Sequence, residues 1–251
     1  MDERAASAGT GVPADVVEAI HASTSVILTG HERPDGDCIG AQAALARVLE
    51  ALGKRVHVLN PDPPEPAFDY LAGEVSYGVY EGGELPDHDL SVLLDISELS
   101  RCGSLAEPLG ASPATKLVID HHVHHGEEWW DHCLVDRSAS ATGLLVRRLA
   151  KALGVELDPV ACAGVFTSLV TDTGWFKYSN TDAETLTVAG EMVSRGVSPD
   201  RLFNAIYQRN TPCLPHELAG LLARLEYFAD GRLAILASDP DAGPFDGNSD
   251  L

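Results

Sequence analysis

Apolar residues in this chain follow two rhythms: short unbroken runs, and stretches where they recur every three or four positions. Ser25-Val-Ile-Leu-Thr29, Leu90-Ser-Val-Leu-Leu94 and Lys116-Leu-Val-Ile119 belong to the first kind, and read as strands buried on both faces of a parallel sheet. Residues 55–59 and 75–80 are expected to be further strands. The second rhythm predicts a helix over 15–22, with Val16, Val17 and Ile20 on one face. It predicts another over 39–52, carried by Ile39, Ala43, Leu45, Ala46, Leu49 and Leu52 and closed by Gly53. Strand, helix and strand in that order form a βαβ unit. Residues 99–109 read as one short, weakly patterned helix, and 123–136 as a loop or short edge element. Ser138-Ala-Ser-Ala-Thr142 is expected to cap a helix running to Leu153, and Asp158-Pro159 to open the next, reaching about residue 171. Helices follow over 181–195, 199–208 and 215–229, then one strand over 232–237 with no partner downstream. The expected class is α/β, a doubly wound parallel sheet followed by a helical stretch.

Polar residues break this pattern where strands end, the edge at which open parallel sheets collect ligands. The first run delivers His31-Glu-Arg-Pro-Asp-Gly-Asp37, in which Pro34 and Gly36 predict a tight loop carrying His31, Asp35 and Asp37. The second delivers Asp95, and the third Asp120, His121 and His122. Asp172, in Thr171-Asp-Thr-Gly174, is a further candidate on a loop. Carboxylates with fewer imidazoles and no thiolates suit manganese or magnesium better than structural zinc. Crowding so many acids without cations raises their pKa values and costs stability, so metal is the natural counter-charge. Two divalent ions about 3.5–4 Å apart would satisfy the set, and such pairs hydrolyse phosphate esters or anhydrides. His124, His125 and His132 read as solvated loop residues, and Trp129 and Trp130 as packing. His21, His57, His88 and His216 read as surface residues.

Charge narrows the partners. With 17 basic against 38 acidic residues the net charge is -21, which excludes broad binding to a nucleic-acid backbone. The five cysteines (Cys38, Cys102, Cys133, Cys162 and Cys213) form no CxxC pair and are expected to be reduced thiols. Residues 1–10 lack the pattern of a signal peptide, and no run approaches the roughly 18 apolar residues needed to span a bilayer. A cytoplasmic protein with no membrane contact is expected.

In this order, four motifs resemble the DHH phosphoesterase superfamily. They are His31-Glu-Arg-Pro-Asp-Gly-Asp-Cys-Ile-Gly40, Leu94-Asp95 with Arg101 following, Val118-Ile-Asp-His-His122 and Thr171-Asp-Thr-Gly174. Phe176-Lys-Tyr-Ser-Asn-Thr181 adds to the likeness, which covers about residues 26–237 and is nearest to the bifunctional oligoribonuclease and pAp phosphatase (NrnA-type) branch. The resemblance implies one manganese ion held by His31, Asp35 and Asp95, and a second held by Asp37, Asp95, His121 and Asp172, with Asp95 bridging. It implies that Asp120 orients His121, that His122 lies against the scissile phosphate, and that Arg101 contacts a phosphate. Magnesium or cobalt could replace manganese. The implied substrates are short oligoribonucleotides and 3′-phosphoadenosine 5′-phosphate (pAp), not long duplexes. Alternatives are cleavage of cyclic or linear dinucleotides or of pyrophosphate, or metal and nucleotide binding without turnover. A homodimer stays open.

The implied domains are an N-terminal segment and first helix (1–22), a catalytic domain (23–180), a helical linker (181–230) and a stub of a second domain (231–251). Members of the branch carry a DHH-associated domain with a Gly-Gly-Gly-His-type loop. After Ala237 only a polar tail is expected, disordered from Asp239 onward.

Overall fold

A computed structural model describes residues 11–124, 128–208 and 212–237. Six strands form one fully parallel sheet: β1 (Ser25–Thr29), β2 (Arg55–Asn60), β3 (Tyr77–Val79), β4 (Leu90–Leu94), β5 (Thr115–Asp120) and β6 (His132–Val135), in the order β3-β2-β1-β4-β5-β6. Every residue of β1 and β4 is buried, as their unbroken apolar runs require. Register pairs Val26 with both Val56 and Leu90, and Leu93 with Val118. The run expected to end at Ile119 goes one residue further, so Asp120 lies inside β5 and pairs with Val135. The stretch before Asp136 forms edge strand β6, which carries His132.

Helices cover both faces. Ile27, Leu93 and Val118 point to one face, where they pack against Ile96, Cys102, Leu105 and Leu109. Burying each such side chain contributes roughly 1.5–3 kcal/mol. The helix expected over 99–109 is broken: a 3-10 turn (Leu99–Leu105) kinks at Gly103 (φ 52, ψ -122) before the first helix on this face, Ala106–Ala111. Trp129 and Trp130 pack against the same cluster, as expected. In chain order the helices of this first unit are α1 (Ala14–Ala22), α2 (Gly36–Ala51), α3 (Asp69–Ala72), α4 (Ala106–Ala111), α5 (Thr142–Ala152), α6 (Pro159–Asp172) and α7 (Ala183–Ser194). Four-residue α3 escapes periodicity because it is about one turn long.

Three starts and ends differ from expectation in ways that shape the site. Helix α2 begins at Gly36, not after Asp37, because the Asp35 carboxylate caps it by accepting from the N–H groups of Asp37 (3.0 Å) and Cys38 (3.1 Å). Helix α5 has Ala141 at its cap position and no side-chain cap, so the serines before it do not perform that role. Helix α6, opened by Asp158 as expected, extends to Asp172, which is therefore a helix-end residue rather than a loop residue. Helices α2 and α6 run closely antiparallel. A Cβ on Gly40 would sit 2.4 Å from the Gly164 carbonyl oxygen, and one on Gly164 would sit 2.5 Å from that of Gly40. This approach sets the end of α6 beside the start of α2, where a Cβ on Gly36 would meet Thr171.

The chain divides into two compact units, Met1–Pro199 and Asp200–Leu251. Helix α8 (Pro199–Tyr207) runs into the second, which continues with α9 (Leu214–Leu222) and an antiparallel hairpin of β7 (Glu226–Phe228) and β8 (Leu233–Ile235). The helix expected through Ala229 thus stops at Leu222, and the strand after Arg232 pairs upstream with β7. The aromatic Tyr227 and Phe228 suit a strand. The tail from Asp239 and the loop residue His125 lie outside the described residues. Cys38, Cys102 and Cys162 are buried, Cys133 is half-buried and Cys213 is exposed. Among the described residues no helix is long and apolar enough to cross a membrane.

Candidate metal centre

Strand order reverses between β1 and β4, and ligands of doubly wound sheets settle in the crevice at such a switch point. His31 follows β1 and Asp95 follows β4, one on each side of it. His31 Nδ1 donates to the Glu32 carbonyl at 2.8 Å. Its Nε2 then faces Asp95 Oδ2 at 3.4 Å and Asp35 Oδ1 at 3.8 Å. Asp95 takes a left-handed backbone (φ 64), and its N–H is pinned to the Ile119 carbonyl at 3.0 Å. A non-glycine residue held this way costs about 1–3 kcal/mol, strain typical of functional positions.

His121, just past β5, donates from Nδ1 to the Ala139 carbonyl at 3.1 Å. Its Nε2 lies 3.4 Å from Asp37 Oδ2, 3.6 Å from Asp95 Oδ1 and 3.8 Å from Asp172 Oδ2. Three candidate groups emerge, with ligand atoms within 4.8 Å of one another: His31, Asp35 and Asp95; Asp37, His121 and Asp172; and Asp95, His121 and His122. All six residues expected to ligate metal converge.

Asp120 departs from expectation. It is fully buried, accepts from the Ser97 hydroxyl and from the His122 N–H (3.0 Å), and meets His122 Nδ1 at 2.9 Å. Asp120 therefore orients His122, while the backbone of Ala139 orients His121. The His122 side chain remains 48% exposed, open to a substrate. Arg101 lies beside the His31 loop, its carbonyl accepting from the Glu32 N–H at 2.9 Å. Its exposed side chain makes no ion pair with the cluster among the described residues. His132 is not a solvated loop residue: its Nδ1 meets Asp15 at 2.8 Å. His124 is half-buried against Trp130, with ring centroids 4.8 Å apart. His21 and His216 are exposed as expected, whereas His57 and His88 are half-buried, and His88 Nε2 lies 3.0 Å from the Ser91 hydroxyl.

Small polar residues outside the four motifs hold the ligands. Asp37 accepts from the N–H groups of Thr142 (2.8 Å) and Gly143 (3.3 Å) and from the Ser168 hydroxyl. Asn180 Nδ2 donates to the carboxylate of Asp172 at 3.2 Å. Thr142 Oγ1 donates to Asp95 Oδ1 at 3.1 Å. Asn180 lies in the stretch 176–181 that adds to the family likeness, but nothing local in the sequence singles out Thr142 or Ser168.

The donor set fits divalent ions. His121 Nε2 is buried without a hydrogen-bond partner, although three carboxylates surround it. Those separations are long for hydrogen bonds. Atoms bound to one ion at about 2.1 Å lie about 3 Å apart at right angles and about 4 Å apart across it. Electrostatics agree. Burial works against a proton on His31, yet Asp35 and Asp95 raise its pKa to about 10. Burial likewise opposes a proton on His121, and Asp37, Asp172 and Asp95 lift it to about 10. Burial and the neighbouring Asp37 push Asp95 upward, and do the same to Asp172, which reaches about 6. Asp120 is held down at about 2: burial opposes this, but hydrogen bonds from His122 and Ser97 prevail. The raised values of His31, His121, Asp95 and Asp172 mark a cluster that favours added positive charge.

The fold and site together define a doubly wound α/β protein with an acid and imidazole cluster at its switch point. Residues 25–197 match the DHH family, N-terminal domain. The chain is 30% identical over 199 residues to the bifunctional oligoribonuclease and PAP phosphatase NrnA of Bacillus subtilis, covering 77% of this chain and 60% of that protein. It is 32% identical over 240 residues to the protein of that name from Thermus thermophilus, covering 95% of this chain and 70% of that one. It thus spans 60% to 70% of the length of these two relatives. Among solved structures, an exopolyphosphatase-related protein from Bacteroides fragilis matches with a TM-score of 0.81 at 22% identity, over 88% of this chain and 67% of that one. The chain belongs to the DHH family.

Proposed function

We propose that this protein is a phosphoesterase that uses two divalent ions, manganese foremost, to release mononucleotides from very short RNA and phosphate from pAp. The observation that carries the reading is the buried, unpartnered His121 Nε2 ringed by Asp37, Asp95 and Asp172. His31, Asp35 and Asp95 would hold one ion, and Asp37, Asp95, His121 and Asp172 the other. When bound, the pair supplies Lewis acidity, neutralising charge on phosphoryl oxygens and easing deprotonation of the attacking water. Asp120, tied to His122 Nδ1, favours the protonated imidazole, leaving Nε2 to donate to a non-bridging or leaving oxygen of the phosphate. Arg101, beside the His31 loop, is the candidate for a further phosphate contact. In this reading the catalytic domain from residue 23 lies in the first unit, which ends at Pro199 and includes α7, and the β7–β8 hairpin belongs with the second unit. The relatives' printed activities and their 30% and 32% identities support the substrate class.

The test is a panel of diadenylate, pAp and pyrophosphate, each incubated with protein and Mn²⁺ or with chelator. AMP from the first two, only with metal, is the expected result. Turnover of pyrophosphate alone would replace the substrate assignment, and Mn²⁺ binding without turnover of any compound would remove the catalytic one.

A further inference from the structure

We propose that Thr142 is a positioning residue that keeps the two halves of the metal centre in register, and that paired ion binding depends on its hydroxyl. The inference rests on the two-ion reading above. Thr142 is fully buried at the first position of α5. Its N–H donates to Asp37 Oδ2 at 2.8 Å, and its hydroxyl donates to Asp95 Oδ1 at 3.1 Å. Asp37 belongs to the group with His121 and Asp172, and Asp95 to the group with His31 and Asp35. One residue therefore grips a carboxylate from each group.

A carboxylate shared by two ions must turn one oxygen to each side. Asp95 already does so: Oδ2 faces His31 Nε2 at 3.4 Å, and Oδ1 faces His121 Nε2 at 3.6 Å. Rotation about the Cβ–Cγ bond would destroy this division, and the Thr142 hydroxyl on Oδ1 opposes that rotation. The support is rigid. Because Ala141 cannot cap α5, Asp37 serves as its cap, and the Gly143 N–H also reaches the Ser168 hydroxyl on α6 at 2.8 Å. Thr142 thus sits on a helix end clamped to both α2 and α6, and a threonine here does more than start a helix.

Partners that orient ligands typically contribute about 10–100-fold to metal affinity. Thr142→Val keeps the shape and the amide but loses the hydroxyl, whereas Thr142→Ser keeps the hydroxyl. Mn²⁺ titration by calorimetry, with low-temperature electron paramagnetic resonance of the loaded protein, reads both stoichiometry and ion–ion coupling. Wild type and T142S should bind two ions with an exchange-coupled signal. T142V should lose that coupling and bind at least one ion about 10–100-fold more weakly, while staying folded in chelator with a melting temperature lowered by the lost hydrogen bond to Asp95. Should T142V fail to fold, T142A carries the same comparison. Two ions bound by the hydroxyl-free variant with wild-type affinity and coupling would overturn the proposal while leaving the two-ion reading intact. A wild type that takes up no ion pair would overturn both.

Discussion

Asp95 is the residue on which both candidate ion sites depend, and its left-handed backbone decides how to test it. Alanine there would add backbone strain, whereas asparagine tolerates that conformation. Asp95→Asn should therefore stay folded, bind Mn²⁺ with less than half the wild-type stoichiometry, and lose more than about a hundredfold in hydrolysis. Full activity in this variant would disprove the bridging role. The imidazoles give a second test. The surrounding carboxylates push His31 and His121 up to about 10 and burial pushes Asp95 up to about 8, and ligation needs all three deprotonated, so ion uptake near pH 8 should release protons. Calorimetry in buffers of different ionisation enthalpy counts them, and zero release would contradict the assignment. The same shifts set a stability trend. Both imidazoles sit above their unfolded value of 6.5, so the folded chain binds more protons between that pH and about 10. Their contribution is full below pH 6.5 and disappears as pH rises through 10, so melting temperature in chelator should fall across that window.

At the scale of elements, the α2–α6 crossing positions Asp35 and Asp37 against Asp172. Gly40→Ala would drive a methyl into the Gly164 carbonyl, part the helices and destabilise the fold by about 1–3 kcal/mol, measurable by denaturant titration. Because the two helices carry ligands at facing ends, Mn²⁺ affinity should fall with it. Unchanged affinity in a destabilised variant would mean that the crossing supports the fold alone. The buried strands β1, β4 and β5 were legible in the sequence because a short run without polar breaks needs cover on both faces, which a parallel sheet under two helix layers supplies. That His31, Asp95 and His121 would come together was legible because such strands hand their next residues to one edge. What escaped depended on three-dimensional proximity. Asp37 capping α5 across 105 residues leaves no local trace, and neither does Asp120 choosing His122 over His121. The weakly patterned stretch that became a 3-10 turn and α4 hid its break at Gly103, where a positive φ looks like any helical glycine in one dimension.

For the whole molecule, charge governs which substrates approach. Arg47, Arg147, Arg148 and Arg195 are each paired with an acid, which leaves the excess of 38 acidic over 17 basic residues intact, so an approaching anion meets a strongly negative field. Long polyanions should be repelled over a Debye length of about 8–10 Å at ordinary salt. Hydrolysis should therefore decline with length from the ribodinucleotide upward, and the decline should flatten as salt is added. A rate that climbs with length at low salt would refute this. The parallel sheet carries a practical corollary. Because α5 starts at the metal centre, its closing turn at exposed Gly154 (φ 69) lies at the far end of that helix. A peptide epitope spliced in there could tether the molecule to a sensor chip with its reactive crest turned toward the flowing solution.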